Sequence, residues 1–74
     1  MIKSMIYYNH QMKERGITMN DYNFKVWFAD GFIAYYTIAA SNYDMAIAMM
    51  EAYADYDAVE ADTEMVDYIL ESVE

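Results

Sequence analysis

The sequence feature that most constrains the fold is the dipeptide Asp30-Gly31, which separates two runs rich in aromatic and β-branched residues. Asp-Gly is a preferred pair for a two-residue type I′ turn, whose twist matches that of the strands it joins. We therefore predict an antiparallel β-hairpin with strands at about 22–29 and 32–39.

A two-residue turn also fixes the register of the predicted hairpin. Counting outward from the turn pairs Phe28 with Ile33 and Trp27 with Ala34. Cross-strand neighbours share a face, and in this register both faces carry apolar side chains. We therefore expect helices on one side of the sheet and a partner, or the N-terminal segment, on the other.

Helices are predicted before and after the hairpin. Residues 2–15 carry apolar side chains at helical spacing and end at Arg15-Gly16, as a short N-terminal helix would. Ser41 followed by Asp44 approximates a capping box, which places the start of a second helix. We expect this helix at about 42–55.

The last part of the chain is ambiguous between strand and helix. Alternating acidic and apolar residues favour a third strand near 57–64. From Thr63 onward the apolar residues fall on one arc of a helix, with acids opposite. We predict a helix at about 63–73, with a third strand through the same residues as the alternative. The fold class is then α+β, in a single domain spanning residues 1–74.

The charge of the chain is distributed unevenly. Residues 26–74 hold eleven acids and no cation, and the net charge of the chain is −9. With 58% hydrophobic residues the chain is too apolar for an acidic disordered tail. The sign of the charge excludes a basic nucleic-acid binder. No apolar run approaches the roughly 18 residues of a membrane span, and the lack of Cys excludes disulfides and thiolate metal sites.

The start of the native chain is open to a second interpretation. A purine-rich ribosome-binding sequence can encode Lys13-Glu14, a short distance before Met19. Translation from Met19 would make residues 1–18 an N-terminal extension outside the native protein. Intact-mass analysis that finds Met1 in the native product would exclude this hypothesis.

Neither catalysis nor a cofactor is expected. A catalytic carboxylate pair needs a cleft that holds the two groups at a fixed separation, and 74 residues leave little room for one. The acids from Asp55 onward resemble a calcium loop, but its sixth and twelfth positions hold Glu60 and Val66 instead of Gly and Glu. His10, the only histidine, has no second His or Cys with which to bind a metal.

The acidic surface is the remaining candidate for function. On a strand, alternate carboxylates would lie about 6.6 Å apart along one face, and duplex DNA presents a phosphate about every 3.4 Å of axis on each strand. A basic groove that normally holds nucleic acid would be attracted to such a pattern. The alternative is that the acids only keep an aromatic-rich protein soluble. The candidate partner-binding residues are Asp55, Asp57, Glu60, Asp62, Glu64, Asp67 and Glu71.

In overall character the chain resembles small acidic proteins that phages and mobile elements use against host defence. It is short, free of Cys, strongly acidic and rich in Tyr and Met. The resemblance to anti-CRISPR and antirestriction proteins implies a stoichiometric inhibitor in the cytoplasm of the host cell. Such an inhibitor occupies the nucleic-acid site of a nuclease complex and binds neither nucleic acid nor membrane itself. No motif carries the resemblance, so no residue role follows from it.

A second functional hypothesis comes from the aromatic hairpin. A homo-oligomeric structural or assembly module, with a homodimer as its simplest form, would use the hairpin as its interface. Trp27, Phe32 and Tyr36 are the expected interface residues.

Overall fold

The computed structural model describes the backbone of residues 2–8 and 19–74, and the side chains of residues 19–74. Its α+β class agrees with the prediction: three antiparallel strands and a parallel edge strand form one sheet, with a helix on one face. The strand order is β1-β3-β2-β4, with β1 parallel to β3. The elements in chain order are β1 (Ile2–Tyr8), β2 (Asn20–Phe28), β3 (Ile33–Ala40), α1 (Tyr43–Glu60) and β4 (Met65–Val73).

The predicted β-hairpin is confirmed as β2 and β3, but its turn is of another type. The backbone N–H of Gly31 donates to the carbonyl of Phe28 (3.0 Å), and that of Phe28 to the carbonyl of Phe32 (2.9 Å). Gly31 has φ 90°, which makes this a three-residue loop closed by a glycine bulge. A type I′ turn would also require a positive φ at Asp30, which is costly for a residue with a Cβ. The Asp30 carboxylate instead accepts the N–H of Phe32 at 3.0 Å.

The additional loop residue shifts the register of the hairpin by one. Trp27 lies opposite Ile33, and Val26 lies opposite Ala34. Because side chains alternate along a strand, such a shift exchanges the faces of one strand relative to the other, and the predicted faces are therefore wrong. The even-numbered side chains of both strands share the face beneath α1, where the buried core contains Tyr22, Phe24, Val26, Phe28, Ala34, Tyr36, Ile38 and Ala40.

Helix α1 begins one residue later than the capping box predicts. The side chain of Asn42 accepts the backbone N–H of Met45 at 2.8 Å, so Asn42 is the N-cap. The predicted capping box of Ser41 and Asp44 is therefore wrong, because Asn42 reaches the third helical N–H itself. The buried stripe of α1 is built from mostly small residues: Ala46, Met50, Ala54 and Ala58.

Helix α1 also ends later than the predicted position near residue 55. The N–H of Thr63 donates to the carbonyl of Ala58 (2.9 Å), and that of Asp62 to the carbonyl of Val59 (3.2 Å). This pair of bonds is a Schellman motif, in which the residue after the cap is left-handed. Asp62 takes that conformation with φ 54°, as the one non-glycine residue with positive φ among the described residues. Glycine usually fills this position. Because Asp62 stands there instead, the sequence carries no glycine signal that would predict where the helix ends.

The predicted C-terminal helix at about 63–73 is wrong, and the alternative of a strand through the same residues is correct: Met65–Val73 forms strand β4, antiparallel to β2. Two register shifts interrupt this pairing and leave Val66 and Glu71 as additional residues. The alternative strand near 57–64 is also wrong, since that segment holds the end of α1 and the turn that follows.

The bulges of β4 account for the misleading periodicity. Met65, Tyr68 and Leu70 pack against the core, and the steps between them are three and two residues instead of two and two. Because Val66 is an additional residue, Met65 and Leu70 share a face although an odd number of positions separates them, so the alternation typical of a strand is missing from the sequence. Pairing with β2 therefore decides the conformation of this segment.

The predicted N-terminal helix at 2–15 does not form over its first half, because Ile2–Tyr8 is strand β1. Its second half, with the predicted end at Arg15-Gly16, lies outside the described residues. The proposal that residues 1–18 are an extension before Met19 stays a prediction.

Candidate interaction surfaces

The hairpin turn and the carboxyl end of α1 meet at one end of the sheet. The backbone N–H of Ala29 donates to the carbonyl of Glu64 (2.9 Å), and that of Asp30 donates to the hydroxyl of Thr63 (3.2 Å). These two bonds join the turn to the segment that follows α1. Four exposed acidic residues, which we call the acidic end, lie in these joined segments: Asp30, Glu60, Asp62 and Glu64.

The helix dipole adds to the negative charge of the acidic end. The carboxyl end of a helix carries roughly half a negative elementary charge, and the last turn of α1 contains no basic residue. Residues 26–74 supply no cation to offset it. The acids therefore lie beside a partial charge of their own sign, and a positively charged partner would relieve the repulsion.

The seven acids predicted to bind a partner do not form one surface. Glu60, Asp62 and Glu64 are close in sequence around a tight turn, but they lie at a helix end and its turn instead of along a strand. The predicted strand spacing of about 6.6 Å therefore does not apply. Asp55 is exposed on α1, whereas Asp57 is half-buried.

The other two predicted acids lie on β4. Asp67 pairs with Trp27 and so shares the sheet face opposite α1, and Glu71 is the additional residue of a bulge. Asp30, in contrast, was not predicted. Its sequence neighbours mark only a turn, and its place beside Thr63 depends on a contact between residues 33 positions apart.

A pocket of about 300 Å³ opens beside the acidic end, between α1 and the hairpin. The rings of Phe28 and Phe32 meet edge to face, with centroids 5.9 Å apart. Tyr56, which is 66% exposed, also lines this pocket. We call it the aromatic pocket and define it by six of its lining residues: Phe28, Phe32, Tyr36, Tyr56, Asp57 and Glu60.

One wall of the aromatic pocket is fixed by a hydrogen bond. The hydroxyl of Tyr36 donates to the carboxylate of Asp57 at 2.5 Å, and Tyr36 is only 1% exposed. The bond ties α1 to β3 and holds the Asp57 carboxylate at the pocket wall. Asp57 therefore belongs to the pocket and not to an exposed acidic surface.

The face of the sheet opposite α1 carries no second layer among residues 19–74. Nζ of Lys25 lies 5.0 Å from the ring centroid of Trp27 and 5.8 Å from that of Tyr35, both within the range of cation–π attraction. We call this surface the open face and define it by five residues that pair across the strands: Lys25, Trp27, Ile33, Tyr35 and Ile69.

The interface predicted for a homo-oligomer does not exist as one surface. Tyr36 is buried beneath α1, and Phe32 packs against the same core. Trp27 points to the other side of the sheet, because it pairs with Ile33. The one-residue shift of the hairpin register is the reason for this separation.

The chain was compared with protein families, curated proteins and solved structures. None of them matches it. Within residues 19–74 no group of three or more His, Cys, Asp or Glu residues could hold a metal ion. The described part of the chain also contains no helix with the length and apolar character needed to cross a membrane.

Proposed function

We propose that this protein is a small acidic stoichiometric inhibitor of the anti-CRISPR or antirestriction kind, which binds a basic nucleic-acid groove of a host nuclease complex. The observation that carries the proposal is the acidic end, where four exposed acids lie in joined segments at the negative end of a helix. Opposite charge steers association and makes it fast and sensitive to salt.

The proposed mimicry uses a compact cluster of charges instead of a row along a strand. A nucleic-acid backbone also presents fixed negative charges, and a basic groove is shaped to receive them. The bonds from Ala29 to Glu64 and from Asp30 to Thr63 hold the acidic end in place. A preorganised cluster binds at less entropic cost than a flexible acidic tail would.

The proposal is tested by capturing host nucleic-acid-binding proteins with the full chain at about 50 mM and about 500 mM NaCl. We expect a nuclease subunit to be retained at low salt, released at high salt and displaced by competing DNA or RNA. Equal retention at both salt concentrations, or no displacement by nucleic acid, would contradict charge-based mimicry.

Charge variants locate the interaction. The triple variant Glu60→Gln, Asp62→Asn and Glu64→Gln removes three of the four charges of the acidic end. We expect it to lose most of the captured nuclease at low salt. Asp30 is left unchanged because its carboxylate also holds the hairpin turn.

A matched control variant changes the net charge by the same amount elsewhere. It combines Glu51→Gln on α1 with Asp67→Asn and Glu71→Gln on β4, all at exposed positions. We expect this variant to retain the nuclease. Equal loss from both triple variants would show that net charge, and not the acidic end, determines binding.

A second candidate function, homodimerisation, is favoured by the open face. It places Trp27, Ile33 and Tyr35 beside Ile69, which is 45% exposed. Toward the other end this side of the sheet becomes polar, where the hydroxyl of Thr37 donates to Asn23 at 2.7 Å. A dimer would therefore use the apolar part around Trp27.

Light scattering tests the dimer directly. If the open face joins two copies, Ile69→Glu converts a dimer to a monomer. Val59→Glu is the control, since Val59 is 80% exposed on α1. A wild-type chain that is monomeric at high concentration would exclude this second function and leave the first unaffected.

A further inference from the structure

We propose that the aromatic pocket binds the guanidinium group of an arginine side chain. This inference deepens the proposed function, on which it rests, because it names the group by which a basic partner would be held. The pocket volume of about 300 Å³ lies at the lower limit for ligand pockets, a size suited to one side chain or a small amine.

The aromatic walls of the pocket supply the first part of the recognition. Phe28, Phe32, Tyr36 and Tyr56 line it, and aromatic faces attract cations through the ring quadrupole. Arginine is favoured over lysine because its planar guanidinium stacks on rings and is more weakly hydrated than an ammonium group.

Two carboxylates select the charge of the ligand. Asp57 and Glu60 line the pocket on the α1 side. An ionised carboxylate offers about four acceptor sites, so the hydrogen bond from Tyr36 is compatible with a second donor at Asp57. Guanidinium carries five N–H donors in a plane and pairs well with carboxylates.

The surroundings of the pocket also favour a cation. Glu60 belongs both to the pocket and to the acidic end, so a ligand in the pocket lies beside the negative charges of that end. An anionic ligand would be repelled there, and a neutral apolar ligand would bring no hydrogen-bond donor to the two carboxylates. The guanidinium of an arginine in a basic groove can both stack on the aromatic rings and pair with the carboxylates.

The probe for the test is N-acetyl-arginine methylamide, titrated into the full-length chain and followed by two-dimensional NMR. We expect saturable shifts of the backbone amides of Ala34, Ala61 and Thr63, which line the pocket. The indole signal of Trp27, on the open face, should not move. The citrulline analogue, which has nearly the same shape without the charge, should bind at least about fivefold more weakly.

Two pairs of variants separate the pocket from general electrostatics. Glu60→Gln should weaken the arginine probe about two- to fivefold, whereas Asp55→Asn, which removes a charge from α1 outside the pocket, should have less effect. Tyr56→Ala should weaken it similarly, whereas Val59→Ala should not. Equal effects within either pair would overturn the inference.

The outcomes distinguish this inference from the proposed function. If the citrulline analogue, or N-acetyl-lysine methylamide as a further control, binds as well as the arginine probe, the pocket is not a guanidinium site. The absence of a saturable shift at the pocket would exclude such a site too. Salt-dependent, nucleic-acid-sensitive capture of a nuclease by the acidic end would still support the proposed function in that case. Conversely, selective arginine binding without capture of any nuclease would support the pocket and contradict the proposed function.

Discussion

The close packing of α1 on the sheet predicts that enlarging one small buried residue destabilises the protein. Ala54 is 0% exposed, in the middle of the buried stripe of α1. Leucine adds three carbon atoms there, and the aromatic pocket does not include this position. Overpacking of this kind costs about 1–3 kcal/mol. A chain of this length is expected to have a free energy of unfolding of about 4–11 kcal/mol, so the loss is substantial.

The matched control is Ala52→Leu on the same helix. Ala52 is exposed, so the substitution changes the composition and helix propensity identically without touching the core. Surface substitutions of this kind usually stay within about 0.5 kcal/mol. For Ala54→Leu, the expected loss of about 1–3 kcal/mol in the free energy of unfolding lowers the melting temperature of a domain this size by roughly 4–24 °C.

Urea unfolding followed by Trp27 fluorescence measures the difference. Trp27 is the only tryptophan and lies on the sheet face opposite α1, so neither substitution touches the reporter. We expect the midpoint to fall for Ala54→Leu and to remain near that of the wild type for Ala52→Leu. Equal midpoints for the two variants would refute the conclusion that α1 packs closely on the sheet with its stripe of small residues.

Three further predictions concern the turns and caps, and each is measured as a free energy of unfolding in urea. Asn42→Ala should cost about 1 kcal/mol and Ser41→Ala close to none; the reverse order would restore the predicted capping box. Gly31→Ala should cost about 1–2 kcal/mol through the backbone alone, since an added Cβ would meet no atom within 4 Å; no cost would contradict the positive φ. Asp62→Gly should stabilise by about 1 kcal/mol, and destabilisation would argue against the Schellman motif.

The hairpin shows what a local sequence signal can and cannot determine. Asp30-Gly31 and the flanking aromatic residues correctly predicted two antiparallel strands, because the turn and the strands are neighbours in sequence. The predicted register was wrong because the same dipeptide occurs in two types of turn. The two types differ in whether Asp30 must adopt a positive φ. That single difference decided which side chains became core and which formed the open face.

The C-terminal segment shows how tertiary pairing overrides a periodic pattern. Its apolar spacing resembles a helix only because two bulges break the alternation of β4. The end of α1 was concealed in a similar way, since Asp62 occupies a position that usually belongs to glycine. For both β4 and the end of α1, the local sequence contains no signal strong enough to outweigh the pattern that suggested the wrong structure.

The candidate site was only partly predictable. The cation-free stretch drew attention to Glu60, Asp62 and Glu64, which lie in the acidic end, but it gave no means of separating them from Asp67. The contribution of Asp30 and the aromatic pocket arise from contacts between the hairpin, α1 and the segment after it. Such contacts depend on the order of the strands, which the sequence pattern did not reveal.

The most direct test of the central claim, that a basic partner recognises the acidic end, is the salt dependence of binding to a defined oligoarginine peptide. Calorimetry at several NaCl concentrations would compare the wild type with two triple variants of equal net charge. One changes the acidic end (Glu60, Asp62 and Glu64), and the other changes Glu51, Asp67 and Glu71. We expect weaker affinity and a shallower salt dependence for the acidic-end variant alone. Equal losses in both variants would contradict the claim.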